Sequence, residues 1–140
     1  LSYAVLTKIA YHIGKGDYLW NWFQEAVKSV MMERGQRSHR GIHCGTMAST
    51  LDVIVLSFIG MVQRKDASIL INPTLPPSWQ KVQFRQLVSG TWMVITVTKK
   101  KVRISVESIT GGASESTVIV GSNRLTVGSW STVTVKHNRV

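Results

Sequence analysis

The chain has 140 residues, of which 44% are hydrophobic and 17% charged, a composition that excludes a disordered polyelectrolyte and allows one ordinary domain or two small ones. Its net charge is +10, with seven basic and four acidic residues up to Arg64 and ten basic against three acidic after it. The longest apolar stretch, residues 53–62, is broken by Ser57 and Gly60 and is too short to span a bilayer. A single cysteine, Cys44, excludes an intramolecular disulfide and fits a reducing, cytoplasmic setting. Residues 1–13 lack the basic start and small-residue cleavage pattern of a signal peptide. The chain opens on Leu1 rather than Met, so it is expected either to be processed or to begin within a longer protein.

The first third has a helical period. Val5, Leu6, Ile9, Ala10 and Ile13 recur at helical spacing, and Gly14 and Gly16 then break the pattern as a helix end should. Asp17 is placed to cap a second helix, whose expected apolar face is Trp22, Phe23, Ala26, Val27, Val30 and Met31, ending at Gly35. A polar segment carries Arg37, His39, Arg40 and His43. A third helix is expected from about Thr46 to near Gly60, burying Met47, Leu51, Ile54, Val55, Phe58 and Ile59. Three helices with such faces do not satisfy one another completely, and residual apolar surface of that size marks a partner surface.

After Arg64 the pattern changes. Residues 72–79, Asn-Pro-Thr-Leu-Pro-Pro-Ser-Trp, form a proline-rich connector. From Lys81 the period is two. Val82, Phe84 and Gln86 alternate with Gln83, Arg85 and Leu87. Met93, Ile95 and Val97 alternate with Trp92, Val94, Thr96 and Thr98. Val102, Ile104 and Val106 alternate with Arg103, Ser105 and Glu107. Shorter strands fit residues 118–120, 125–127 and 133–135, with turns at Gly111-Gly112, Gly121–Asn123 and Gly128-Ser129. The fold class expected is α+β: helices over residues 1–64, then an antiparallel β-sandwich over residues 65–140.

Candidate chemistry is sparse. His43 precedes a helix N-terminus, where unpaired backbone N–H groups attract anions, Gly45 permits close approach and Thr46 offers a hydroxyl. A helix cap beside a solvated histidine accounts for the same residues. Ser38, His39 and Arg40 could extend an anion site, since arginine binds phosphate bidentately, or could simply be an exposed basic loop. No Cys or carboxylate set completes a zinc site around His39 and His43, and neighbouring His43 and Cys44 make a poor nucleophilic pair. Trp20, Trp22, Trp79, Trp92 and Trp130 read as core rather than sugar-stacking residues. Lys99, Lys100 and Lys101 sit where a hairpin turn is expected, so nucleic acid is disfavoured as a partner.

Residues 41–52, Gly41-Ile42-His43-Cys44-Gly45-Thr46-Met47-Ala48-Ser49-Thr50-Leu51-Asp52, resemble the loop-and-helix motif near the end of the catalytic barrel in glycoside hydrolase family 65. That motif usually reads Glu-Gly-Ile-His-x-Gly-Ala-Met-Ala-Gly-Thr-x-Asp. Phe58-Ile59-Gly60-Met61 resembles its continuation, and residues 70–79 resemble the link into a C-terminal β-domain. Asp17 with Trp20, Trp22, Phe23, Glu25 and Ala26 resembles the preceding helix. The likeness covers residues 10–105.

The resemblance implies an (α/α)6 catalytic barrel followed by a jelly-roll-like domain. It implies inverting action on α-linked glucosides such as maltose, trehalose or kojibiose, with phosphate or water as nucleophile and a barrel glutamate as acid. It also implies that His43, Gly45 and Thr46 belong to a phosphate loop, which Arg40 would assist by its own charge rather than by the motif. The family's acid lies upstream of every segment present here, Arg40 stands where the motif has Glu, and Thr46 and Ser49 replace Ala and Gly. Inverting hydrolysis needs two opposed carboxyl groups, and no such pair is recognisable. The chain therefore reads as a C-terminal fragment of an α-glucoside phosphorylase or hydrolase, with no catalytic or metal-binding residue of its own. No cofactor is expected beyond inorganic phosphate as co-substrate of the parent enzyme. The partners expected are an α-linked glucose disaccharide, phosphate and the remaining barrel, with no membrane. The alternative is a non-catalytic β-sandwich module with a basic surface.

Overall fold

A computed structural model of the chain describes residues 2–36, 44–88, 90–109 and 115–137. The chain divides into two compact units, Leu1–Phe58 and Ile59–Val140. Among the described residues the first holds three helices, α1 (Ser2–His12), α2 (Gly16–Gln36) and α3 (Cys44–Val53), the last continued by a π-helical turn over Ile54–Phe58. The second holds eight strands.

Helix α1 ends in a Schellman arrangement. Gly14 takes φ +70°, Lys15 N–H donates to the Ala10 carbonyl at 2.9 Å, and Gly14 N–H donates to Tyr11 at 3.2 Å. Helix α2 begins at Gly16, so Asp17 lies inside its first turn rather than capping it, where its negative charge is favourable beside the positive end of the helix dipole.

The buried faces match those expected at Ala10, Phe23, Ala26, Phe58 and Ile59 and differ elsewhere. In α1 the small residues Ala4, Thr7 and Ala10 are buried, while Val5, Ile9 and Ile13 are 47%, 47% and 62% exposed. Small side chains let α1 approach its neighbours closely, leaving the larger apolar stripe outward. In α2, Leu19, Phe23 and Ala26 are buried, and Met31 is exposed. In α3, Thr50 and Val53 are buried while Leu51 is exposed. The reason lies in the π turn, whose i→i+5 bonding aligns Val53 with Phe58 and rotates the phase of the helix. Phe58 there meets the Phe23 ring edge-on at 5.0 Å between centroids and the Trp20 ring at 6.2 Å.

The helical segment also ends earlier than expected. Residues 61–63 form a strand, not the last turn of helix. Two four-stranded sheets follow. The first has the order β1 (Met61–Gln63), β2 (Ile69–Ile71), β6 (Glu115–Val120), β7 (Asn123–Gly128). The second has the order β3 (Lys81–Val88), β4 (Thr91–Thr98), β5 (Lys101–Ile109), β8 (Thr132–Lys136). All pairings are antiparallel except β2 with β6, which is parallel. The excursion through β3, β4 and β5 supplies the long crossover that a parallel pair needs.

The alternation read from the sequence places the core. Met93, Ile95 and Val97 of β4 lie opposite Val106, Ile104 and Val102 of β5, all nearly fully buried. Ile69, Ile71, Val118, Val120 and Val127 present the facing layer, and β5 packs against β6 and β7. The result is a two-sheet β-sandwich. At roughly 25 cal/mol per Å² of apolar area, each such side chain contributes about 1.5–3 kcal/mol by leaving water. The β4–β5 register slips at Trp92/Met93, leaving Glu107 as the extra residue of a bulge.

One loop is fixed by a carboxylate. Between β1 and β2, Asp66 Oδ1 accepts from the Ser68 hydroxyl at 2.5 Å and from Ser68 N–H at 3.1 Å. Arg124 of β7 donates to Asp66 Oδ2 at 3.4 Å. These bonds, those from Ser68 first, lower the Asp66 pKa to about 2. Because the folded value lies below the ordinary 3.8, the contribution is complete above pH ~4 and is lost as pH falls towards 2. Carboxyl NMR should show Asp66 titrating near pH 2. The unfolding midpoint of Asp66→Asn should be less sensitive to acid over that window than that of the parent chain.

Candidate functional site

The loop-and-helix motif lies at the entry to α3. Of its four candidate anion ligands, Arg40 and His43 lie outside the described residues, as do Ser38 and His39. Gly45 and Thr46 occupy the first turn of α3, which begins at Cys44, two residues earlier than expected. Gly45 is exposed and Thr46 half-buried. Among the described residues, a methyl group built on Gly45 would meet nothing within 4 Å. The Thr46 carbonyl accepts from the Thr50 hydroxyl at 2.9 Å. Cys44 is exposed and free.

Gly45 is helical and unobstructed, so Gly45→Ala should hold or raise stability. Alanine exceeds glycine by about 0.5–1 kcal/mol within a helix, and by less in a first turn. Urea denaturation measures this, and a loss above about 1 kcal/mol would show a contact that the open surface does not suggest.

Four of the carboxylates serve structure. Asp52 pairs with Lys8 at 3.4 Å, Glu25 with Lys28 at 2.6 Å, Glu107 with Arg85 at 2.6 Å and Asp66 with Arg124 at 3.4 Å. All four pairs are partly solvated, and such pairs contribute about 0–1 kcal/mol. Among the described residues no three His, Cys, Asp or Glu side chains cluster as a metal would require, and no helix is long and apolar enough to cross a membrane.

The tryptophans divide. Trp20 packs on Phe23 and Phe58, Trp22 on Tyr18, and Trp92 lies beneath the Arg85 guanidinium at 4.1 Å. Trp130 is 82% exposed and takes φ +60° in the turn between β7 and β8. The structure thus removes Trp130 from the expected core.

The lysine run lies at the β4–β5 hairpin, as its flanking strands imply. Thr98 Oγ1 and Lys101 exchange two 3.1 Å bonds across the turn, and the Lys99 ammonium donates to the Pro77 carbonyl. His137 Nε2 donates to the Thr98 carbonyl at 2.8 Å. Nearby, a cleft of about 270 Å³ is lined by residues including Asn72, Pro73, Ser122, Asn123, Lys136 and His137. Sequence reasoning missed this cleft, because its residues read only as connector, turn and strand end.

The β-unit matches a known domain. Residues 63–127 fit the model of the glycosyl hydrolase family 65 C-terminal domain. These residues are a family 65 C-terminal domain. A trehalose 6-phosphate phosphorylase of Lactococcus lactis subsp. lactis (strain IL1403) is 32% identical over 97 residues, covering 69% of this chain and 12% of that protein. A kojibiose phosphorylase of Thermoanaerobacter brockii is 24% identical over 92 residues, covering 66% of this chain and 12% of that protein. The solved structure of a human-microbiome protein assigned as a kojibiose phosphorylase shares the fold, with a TM-score of 0.82 at 20% identity, covering 99% of this chain and 19% of that one. The chain therefore spans roughly an eighth of the two curated relatives' length.

Proposed function

We propose that this chain is the C-terminal portion of an inverting phosphorylase of α-linked glucose disaccharides. Its helices close an (α/α)6 barrel and its strands form the jelly-roll-like domain that follows. The observation that carries this reading is the 32% identity over 97 residues to a protein named as a trehalose 6-phosphate phosphorylase. The exposed stripe of Val5 and Ile9 on α1 and Ile13 directly after it supports this reading. Spacing of four residues puts all three on one helix face, and three large apolar side chains in water call for a covering surface, here the remaining barrel. The setting proposed is cytoplasmic, a compartment that suits a free, exposed Cys44.

In this reading His43, Gly45, Thr46 and Arg40 hold phosphate at the entry to α3. A helix N-terminus favours an anion by about 0.3–1 kcal/mol when exposed, so the loop's affinity is weak until the rest of the barrel surrounds it. Phosphate titration followed by NMR should move residues 40–47, and less so in a His43→Ala, Arg40→Ala variant. Shifts centred on Lys99–Arg103 would indicate charge attraction alone.

The deciding experiment is to read the coding sequence upstream of Leu1. An in-frame barrel containing a candidate acid glutamate supports the reading, and a start codon directly before Leu1 would overturn it. That outcome would favour a non-catalytic module, for which the basic surface of the second sheet is the supporting observation.

A further inference from the structure

The second sheet has one apolar face and one basic face. Residues directly opposite one another in an antiparallel pair share a face, as do residues two apart on one strand. By that rule Lys81 of β3, Lys101 and Arg103 of β5, and Lys136 of β8 all project away from the core, and all four are exposed. Arg85 joins them, but its guanidinium is occupied by Glu107 and Trp92. Among the described residues no carboxylate lies within ion-pair distance of Lys81, Lys101, Arg103 or Lys136.

Two features show more than scattered surface charge. Lys101 and Lys136 are direct register partners. Their Cα atoms are therefore about 5 Å apart, and like charges so placed repel. Arg103 follows two residues along the same strand, extending the repulsion. Arg103 lies in one continuous row across all four strands with the uncharged hydrogen-bonding side chains Gln83, Thr96 and Thr134. Threonine loses little side-chain freedom on contact.

We propose that this face docks an acidic protein segment, whose carboxylates relieve the Lys101–Lys136 repulsion and pair with Arg103 and Lys81. A second copy of the chain is excluded at this face by like charge. Single-stranded nucleic acid is disfavoured, because sheet faces that bind it offer open aromatic platforms, whereas Trp92 is already covered by Arg85. The inference rests on the sheet alone and is independent of the catalytic reading.

The test is fluorescence anisotropy of a labelled glutamate-rich peptide of about twelve residues with the 140-residue chain, at low and physiological salt. Binding should weaken with salt. Lys101→Glu with Lys136→Glu should reduce affinity at least about tenfold. Arg64→Glu with Lys65→Glu, exposed in the β1–β2 loop and equal in charge change, should reduce it less than about threefold. Equal losses in the two variants would reduce the site to net charge and overturn the proposal. Tighter binding of an oligothymidine of equal charge would overturn it in favour of nucleic acid. Should the glutamate variant fail to fold, Lys101→Gln with Lys136→Gln removes the repulsion and should still weaken binding; unchanged affinity there counts against the proposal.

Discussion

Replacing Phe58 with alanine should destabilise the helical unit by about 3–5 kcal/mol, the usual cost of emptying a buried aromatic site. Phe58 is fully buried, in the π-helical turn, with Phe23 edge-on at 5.0 Å and an interplanar angle of 88°. Trp20 closes a second side at 6.2 Å. Edge-on pairs add about 0.5–1.5 kcal/mol beyond area burial, so the loss includes both a cavity and an aromatic contact. Denaturant unfolding read by tryptophan emission suits the measurement, because Trp20 and Trp22 lie in this unit. Leu51→Ala is the control: Leu51 is 66% exposed, so its change should stay within about 0.5 kcal/mol. A Phe58→Ala loss below about 1 kcal/mol would mean that the π turn does not anchor the helices.

The second large effect concerns catalysis. Alone, the chain should neither phosphorolyse nor hydrolyse maltose, trehalose or kojibiose. Without a general acid the leaving oxygen departs unprotonated, and such assistance is worth about a hundredfold to ten-thousandfold. Four of its carboxylates are already paired with Lys8, Lys28, Arg85 and Arg124 on solvated surfaces, and Asp66 among them is held well below the usual carboxylate range by Ser68, the opposite of what an acid near neutral pH needs. Positioning by barrel walls is a further part of the acceleration, and the described residues of the first unit hold three helices. Anion-exchange detection of released glucose and glucose 1-phosphate should match the enzyme-free rate. Turnover that tracks the purified chain, and disappears in a variant of its own carboxylates, would contradict the account.

Strands β4 and β5 were legible because their residues alternate strictly. Met93, Ile95, Val97, Val102, Ile104 and Val106 could be assigned inward from period two alone, and the lysine turn follows from the strands on either side. What alternation does not carry is which distant strands pair, so the parallel β2–β6 neighbour was invisible. Helix faces were less legible. Helix α1 is apolar on two sides, and periodicity cannot say whether Ala4, Thr7 and Ala10 or Val5, Ile9 and Ile13 face inward. In α3 a single π turn displaced the phase, exposing Leu51. The candidate anion loop was legible as a motif, but only Gly45 and Thr46 fall among the described residues. The basic sheet face needed the register, since Lys101 and Lys136 are far apart in sequence and meet only through the β5–β8 pairing.

The central claim is that these residues complete a disaccharide phosphorylase. It is tested most directly by ³¹P NMR of the product of the full reading frame, incubated with phosphate and each α-linked glucose disaccharide in turn. Inversion at an α-linked glucose predicts phosphate-dependent release of β-glucose 1-phosphate from at least one of them. Glucose release without phosphate consumption, or formation of the α-anomer, would contradict it.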